Sequence, residues 1–338
     1  MKFKPLVLAM VFVLALTYSL HLIRSNTSTA PDYATRVIGV NEPEVVVDIA
    51  SGASGYEVAE LLFKYKVTKS VSAYFRLAVS NKNSEKVSPG SHRLTLSISA
   101  AQALEQLLDP KRIPNLIKVF EGAWSEEILD SLLANGFKQA EVSQALDSLI
   151  LPSGFSTPEG LLFPAQYSFP RQTSAIQVLQ AMVNRFQSEK FGQEILKASG
   201  TYTPLQLLTI ASIVQAEGDT ADFSRVARVI LNRLEISMPL QMDSTVHYIK
   251  KVRGQIFLST SSTLIDSPYN TYKRYGLPPT PIGNPGVRAM EAALKPAVGD
   301  WLYFITVAPG DTRFTASHDE FVSWKLLYQQ NRKAGAFD

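Results

Sequence analysis

The hydrophobic positions divide the chain into stretches of different kinds. The first is unbroken: Pro5 to Ile23 holds 19 residues with no Asp, Glu, Lys or Arg, behind Lys2 and Lys4 and closed by Arg24. About 20 apolar residues carry a helix across a bilayer. A buried core helix would not start at residue 5 behind two lysines, so the choice lies between an anchor and a cleaved signal peptide. Cleavage would have to fall near Ser28-Thr29-Ala30, far from the apolar run and just before Pro31. The pattern predicts an anchor that stays attached, with the amino terminus cytoplasmic and the bulk of the chain outside the membrane. Residues 25–42, rich in Ser, Thr, Asn and Pro, read as a linker.

Beyond the linker, strand-like and helix-like spacing alternate. Glu44–Ile49 is β-branched and predicts a strand. A Gly-rich turn over 51–55 follows, then a helix on which Val58, Leu61, Leu62 and Tyr65 share a face. Seventy residues on, the pattern recurs: Ile49 to Ala53 aligns with Val119 to Ala123, Glu57-Val58 with Glu127-Ile128, Leu62 with Leu132 and Val67 with Phe137. This is either a duplicated strand–turn–helix or the look of any such unit. Between the copies the spacing predicts a helix over 71–79, a strand over 93–96 and a helix over 100–108. After them it predicts helices over 138–151, 175–188 and 193–199, with a Pro-, Gly- and aromatic-rich boundary loop from Ser153 to Pro170.

One helix carries chemistry. Thr203 suits the N-cap, Pro204 the first position and Gln206 the capping box, and Gly218 can end it. Ile210, Ile213, Val214 and Glu217 fall at i, i+3, i+4 and i+7, so Glu217 extends an apolar stripe. A buried carboxyl resists ionisation, which is what a general acid at neutral pH needs. The alternative is a structural ion pair, for which Arg225, Arg228 and Arg233 are at hand. A second helix is predicted over 222–236 and is broken at Met238-Pro239. In the extended segment expected after it, Gln241, Asp243 and Thr245 would line one side. Tyr269-Asn270-Thr271-Tyr272 mixes rings with amide and hydroxyl groups, as sugar-binding loops do; a rigid loop packed by its own tyrosines reads the same way. Trp301–Val307 predicts a buried strand, and a second follows through Arg313-Phe314-Thr315.

Composition narrows the function. The 338 residues are 46% hydrophobic and 19% charged, enough for a packed core. A net charge of +3, from 33 basic and 30 acidic residues, argues against a nucleic-acid binder. With no cysteine and four histidines, thiolate metal sites and a Cys nucleophile are excluded and a His-rich metal site is disfavoured.

The motifs and their order resemble the YceG-like family of endolytic murein transglycosylases. They are Glu159–Pro164, Ser212-Ile213-Val214-Gln215-Ala216-Glu217, Asn232-Arg233-Leu234, Met238 through Tyr248, Tyr269–Tyr272 with Gly276–Pro279, Pro281–Gly286 and Leu302–Phe304. The resemblance implies an α+β protein with a single amino-terminal transmembrane helix, a small LysM-like subdomain and a mixed α/β catalytic domain. The boundaries are 1–24 for the tip and anchor, 25–42 for the linker, 43–112 for the LysM-like part and 113–338 for the catalytic domain.

It further implies a membrane-anchored lytic transglycosylase. Such an enzyme cuts the β-1,4 bond between N-acetylmuramic acid and N-acetylglucosamine and leaves 1,6-anhydro-muramyl ends. Glu217 would be the catalytic acid and base. Gln241, Asp243, Thr245, Tyr248, Tyr269, Asn270, Thr271 and Tyr272 would bind substrate. No metal or organic cofactor is implied. The implied partners are peptidoglycan strands, the membrane through residues 5–23, and peptidoglycan synthases or divisome and elongasome proteins. A tethered, non-catalytic peptidoglycan-binding protein is the rival. The chain departs from the family where Gln215 replaces a common Glu, where Ala165-Gln166-Tyr167 replaces Asp-Thr-Tyr, and near His318, which is displaced from the usual Glu-His pair and is given no role.

Overall fold

The computed structural model describes residues 30–50, 52–114, 116–170, 172–253 and 259–337. The expected anchor and residues 25–29 of the expected linker lie outside the described residues. Among those described, no helix is long and apolar enough to cross a membrane. The chain divides into two compact units. One runs to Leu116 and takes in Tyr167–Gln172; the other comprises Ile117–Gln166 and the chain from Thr173 onward.

The smaller unit is a two-stranded antiparallel sheet with helices. Strand β1 (Glu44–Ile49) pairs with β2 (Gly90–Thr95), in register from Glu44 opposite Thr95 to Ile49 opposite Gly90. Between them run α1 (Gly55–Lys64) and α2 (Val71–Ser80); α3 (Ala100–Leu108) follows. Period-2 burial of Val47 and Ile49 turns β1 toward a core of Leu62, Val67, Tyr74, Leu94, Ile98 and Leu107. Ser54 with Glu57, and Ser99 with Gln102, form reciprocal capping boxes that start α1 and α3.

The larger unit opens with β3 (Ile117–Lys118), α4 (Ser125–Ala134) and α5 (Gln139–Asp147). The expected repeat is present in local geometry. Helices α1 and α4 are each ten residues long and start seventy residues apart, and the turns before them place Gly52 and Gly122 at φ +79° and +77°. The short β4 (Gln166–Tyr167) spans the division in sequence. Then come α6 (Ala175–Ser188), α7 (Lys190–Leu196), α8 (Pro204–Glu217), α9 (Phe223–Glu235), α10 (Asp243–Lys250) and α11 (Val287–Leu294). The antiparallel hairpin β5 (Tyr303–Ala308) and β6 (Asp311–Thr315) and the long α12 (His318–Lys333) close the chain.

Helix α8 is the centre of this unit. Thr203, Pro204 and Gln206 start it as the sequence predicts. Its burial is not a stripe, however: every residue from Leu207 to Val214 is buried, because α7, α9, α10 and α11 pack around it. A helix apolar on all sides is a core helix. Three further expectations are corrected. The stretch from Asp243 is helical, so Gln241, Asp243 and Thr245 do not line one side of an extended segment. Helix α5 ends at Asp147. Strand β5 is mostly half-buried rather than buried, since α12, which covers it, buries none of its own residues.

The segment from Glu159 to Leu162 is wedged against this core. Gly160 has φ +89°, and a Cβ there would lie 2.7 Å from Pro281 Cγ and 3.0 Å from Leu208 Cδ2. Gly160→Ala should therefore cost about 1–3 kcal/mol through backbone strain and the clash. Urea unfolding measures it; an unchanged midpoint would mean that Pro281 gives way freely.

Candidate active site

The site begins where two helices meet. Helix α8 ends at Glu217 and α10 begins at Asp243. The first amides of a helix lack intrahelical acceptors, and the N-cap of α10, Met242, has no side chain that can accept one. Glu217 fills that position from outside: its Oε1 accepts the Ser244 N–H at 2.8 Å. The residue is half-buried as a whole, with its carboxyl turned into the protein. Burial pushes its pKa up and the nearby Asp243 adds to the rise, while the Ser244 hydrogen bonding and the Arg233 charge oppose it; the net shift is upward.

The arginines do not neutralise it. Arg225 pairs with Asp222. Arg228 donates to the Ala297 carbonyl at 2.6 Å. Arg233 is buried and donates to the carbonyls of Leu302, at 2.6 Å, and of Leu240. Among the described residues no arginine is ion-paired with Glu217, so the structural-pair alternative has no geometric support.

Asp243, one residue before Ser244, accepts a hydrogen bond from the Tyr272 hydroxyl. Burial and that carboxylate push the Tyr272 phenol up. Gln241 is exposed, has φ +48° and donates its N–H to the Thr271 carbonyl at 3.1 Å. Thr245, Asn270 and Thr271 are fully buried and bonded within the protein. Thr245 Oγ1 lies 3.0 Å from Thr271 Oγ1, which accepts the Met242 N–H at 2.9 Å. Asn270 donates to the carbonyls of Thr263, at 3.0 Å, and Ile265, at 2.7 Å, and accepts the Tyr272 N–H at 3.0 Å. Thr245 and Thr271 hold the Tyr272 loop against the start of α10 and Asn270 braces the loop internally; the three present no free polar group to a ligand.

Tyr248 lies further along α10, and Tyr269, in the loop that follows it, packs against it. Both are half-buried, with ring centroids 5.2 Å apart. Trp124 stands edge-on to Tyr248 at 5.9 Å. The Tyr269 hydroxyl is 2.7 Å from Thr280 Oγ1, and the Tyr248 hydroxyl donates to Glu159 Oε2 at 3.0 Å. Glu159 was legible only as a motif residue without a role; in a loop it has no periodicity to mark it.

The departures from the family pattern also find places. Gln215 Oε1 accepts the Gly286 N–H at 3.0 Å, and Ser212 Oγ accepts the Ile282 N–H at 3.0 Å, so α8 pins the loop before α11. His318 packs on Tyr303 at 5.6 Å, beside the stacked Phe321. Among the described residues no cluster of three or more His, Asp or Glu is placed to hold a metal ion.

A model of the YceG-like family matches residues 47–325. The endolytic murein transglycosylase of Bacillus subtilis (strain 168) is 32% identical over 310 residues, covering 84% of each chain. That of Streptococcus pneumoniae serotype 2 (strain D39) is 28% identical over 312 residues; the match covers 82% of this chain and 56% of the longer relative. A crystal structure of a yceG-like protein from Listeria monocytogenes aligns with a TM-score of 0.56 and 28% identity, over 83% of this chain and 98% of that one. With the family's pattern spread over both compact units, the chain belongs to the YceG-like family.

Proposed function

We propose that the protein is a membrane-anchored lytic transglycosylase that cuts the β-1,4 bond between N-acetylmuramic acid and N-acetylglucosamine, with Glu217 as its acid and base. Family membership supports the reaction class. One observation supports the residue: a carboxyl turned into the protein, raised by desolvation and without a cationic partner, held in place by a helix-start amide.

The chemistry needs only one such group. A protonated Glu217 gives its proton to the glycosidic oxygen as the bond to the muramyl anomeric carbon breaks. The muramyl 6-hydroxyl then bonds to that carbon and returns its proton to Glu217. No water is consumed, and the product ends in a 1,6-anhydro ring. Most glycosidases use two carboxylates, but an internal nucleophile removes the need for the second. Asp243, engaged by Tyr272, is suited to positioning substrate or to balancing positive charge at the anomeric carbon. Tyr248, Tyr269 and Tyr272 supply ring surfaces for sugars, and Gln241 supplies an exposed amide.

Residues 43–112 are read as a LysM-like glycan-binding part. In the smaller unit, a groove of about 450 Å³ between the turn after β1 and the segment before β2, lined by Tyr74, Phe75 and Val79, supports that role. Residues 5–23 are read as the anchor, which would confine cutting to glycan near the membrane and to the neighbourhood of the synthases that make it.

Glu217→Gln should lower turnover at least ~10²–10⁴-fold, the usual worth of acid–base help. Mass spectrometry of digested peptidoglycan reads it as lost anhydro ends; wild-type yields from this variant would remove Glu217 from the chemistry. Asp243→Asn should reduce turnover with products unchanged, and full activity would take it out of the site.

Stability gives a second, independent reading of Glu217. Its folded pKa is raised, so the native state holds the proton more tightly than the unfolded chain. Wild-type stability is then highest below the unfolded value of about 4.3 and falls as pH rises toward the folded pKa. Glu217→Gln, which has no charge to bury, should gain in Tm relative to wild type at pH 7 more than at pH 4. A variant less stable at pH 7 would instead indicate a lowered pKa and a structural role.

For the anchor, amino-terminal sequencing of the membrane fraction should find the start intact; a mature start near Pro31 would make the segment a signal peptide.

A further inference from the structure

The larger unit holds a second raised carboxyl that the proposed chemistry leaves unused. Glu159 is 6% exposed, and burial pushes its pKa up. It lies among neutral donors from three separate segments. The Ser125 N–H, at the start of α4, donates to both oxygens at 3.1 and 3.3 Å. The Asn284 amide donates to Oε1 at 3.2 Å, and the Tyr248 hydroxyl to Oε2 at 3.0 Å. Asn284 is itself fixed: its Oδ1 accepts the Leu162 N–H at 2.8 Å and its Nδ2 also donates to the Ala123 carbonyl at 2.9 Å. Glu159 therefore sits on a frame that does not move with Tyr248.

Tyr248 depends on that frame. Its ring is half-buried, lies 5.2 Å from Tyr269 and 5.9 Å from Trp124, and has Lys251 Nζ 4.2 Å from its centroid. A tyrosine ring turns about two side-chain torsions, and the contact with Glu159 fixes its far end. Tyr269 is tied at its own hydroxyl to Thr280. The two rings form a preset pair beside α10, the helix whose first turn holds Glu217.

We propose that Glu159 is a positioning residue for glycan recognition: by holding the Tyr248 hydroxyl it sets the Tyr248–Tyr269 pair at the angle on which a sugar ring packs. The inference rests on the reading of the chain as a glycan-cleaving enzyme. A residue in this role acts on KM; a second acid would act on kcat and its pH dependence.

Glu159→Gln turns one oxygen into an NH₂: facing Asn284 it loses that bond, and facing Tyr248 it makes the hydroxyl the acceptor, so either way the charge-assisted hold is weakened. Tyr248→Phe removes the same link from the other side and leaves the carboxylate its remaining donors. With the full-length protein and soluble uncrosslinked glycan strands, each change should raise KM roughly tenfold while kcat and its pH profile hold, as expected for one buried hydrogen bond lost or weakened. The double variant should be no worse than the poorer single one. Unchanged KM in both variants overturns the proposal, and so does a fall in kcat with a displaced pH limb in Glu159→Gln. If Glu159→Gln fails to fold, Tyr248→Phe decides alone.

The binding constant of the same strands for the Glu217→Gln protein, with and without Tyr248→Phe, gives a readout that does not need turnover. Absent anhydro products from wild type would sink the enzymatic reading. An unchanged binding constant would sink the role of Glu159.

Discussion

The contact between Glu217 and the Ser244 amide is the one the site depends on. It joins the end of a helix buried on every side to the start of a helix that lacks its own cap. Each half constrains the other. Helix α8 cannot rotate without unpacking its whole circumference, so Glu217 has a fixed origin. Helix α10 gains an acceptor for an amide that would otherwise be left unsatisfied. The cost is a carboxyl taken partly out of water, and the single hydrogen bond does not repay it. That imbalance shifts the carboxyl toward its protonated form, the direction the proposed acid needs before it meets a glycosidic oxygen.

Arg233 shows how the imbalance is kept. A buried guanidinium near a buried carboxyl would ordinarily pair with it and hold it ionised. Here its donors go to the carbonyls of Leu302 and Leu240. The bond to Leu240 fixes the segment that leads into α10, and the bond to Leu302 fixes the approach to β5. The cation thus braces two sides of the site with uncharged acceptors. Its field still reaches Glu217, but burial outweighs it. A buried charge satisfied by carbonyls costs less than an unpaired one and leaves the neighbouring acid free to titrate.

How much of this could be read in the sequence depended on whether the signal was local. The boxes that start α1 and α3 involve residues three apart but were not read; the cap of α8 has the same spacing and was legible. So was the seventy-residue recurrence, because Gly52 and Gly122 are needed wherever a strand must turn sharply into a helix. Glu217 was legible by its place at the end of an apolar run. The error over α10 was also local: Met238-Pro239 stops one helix, and nothing in Leu240-Gln241-Met242 announces the next, because its cap comes from residue 217. Thr245, Asn270 and Thr271 look like sugar ligands by residue type. Only the fold shows that Thr245 and Thr271 face each other and that Asn270 turns its amide to the backbone of its own loop. Glu159 was hidden for a related reason: its partners at 125, 248 and 284 come from segments far apart in the chain.

Two raised carboxyls on one unit invite the reading of an acid and a base, but their surroundings argue for different duties. Glu159 accepts from a backbone amide, a carboxamide and a phenol, and all of these are donors that an ionised carboxylate binds best. They fill its coordination, leaving no direction from which a substrate oxygen could approach. Glu217 accepts the Ser244 amide and stands at the end of its helix, with Asp243 and the Tyr272 loop beyond it. A proton donor must have an open lobe toward the atom it protonates; a positioning group must not. That contrast supports the proposed assignment of the saturated carboxylate to the framework of the site and of Glu217 to its chemistry. The same distinction fits the proposal of a single acid at the end of α8, since Gln215, two residues before it, is committed to the Gly286 amide.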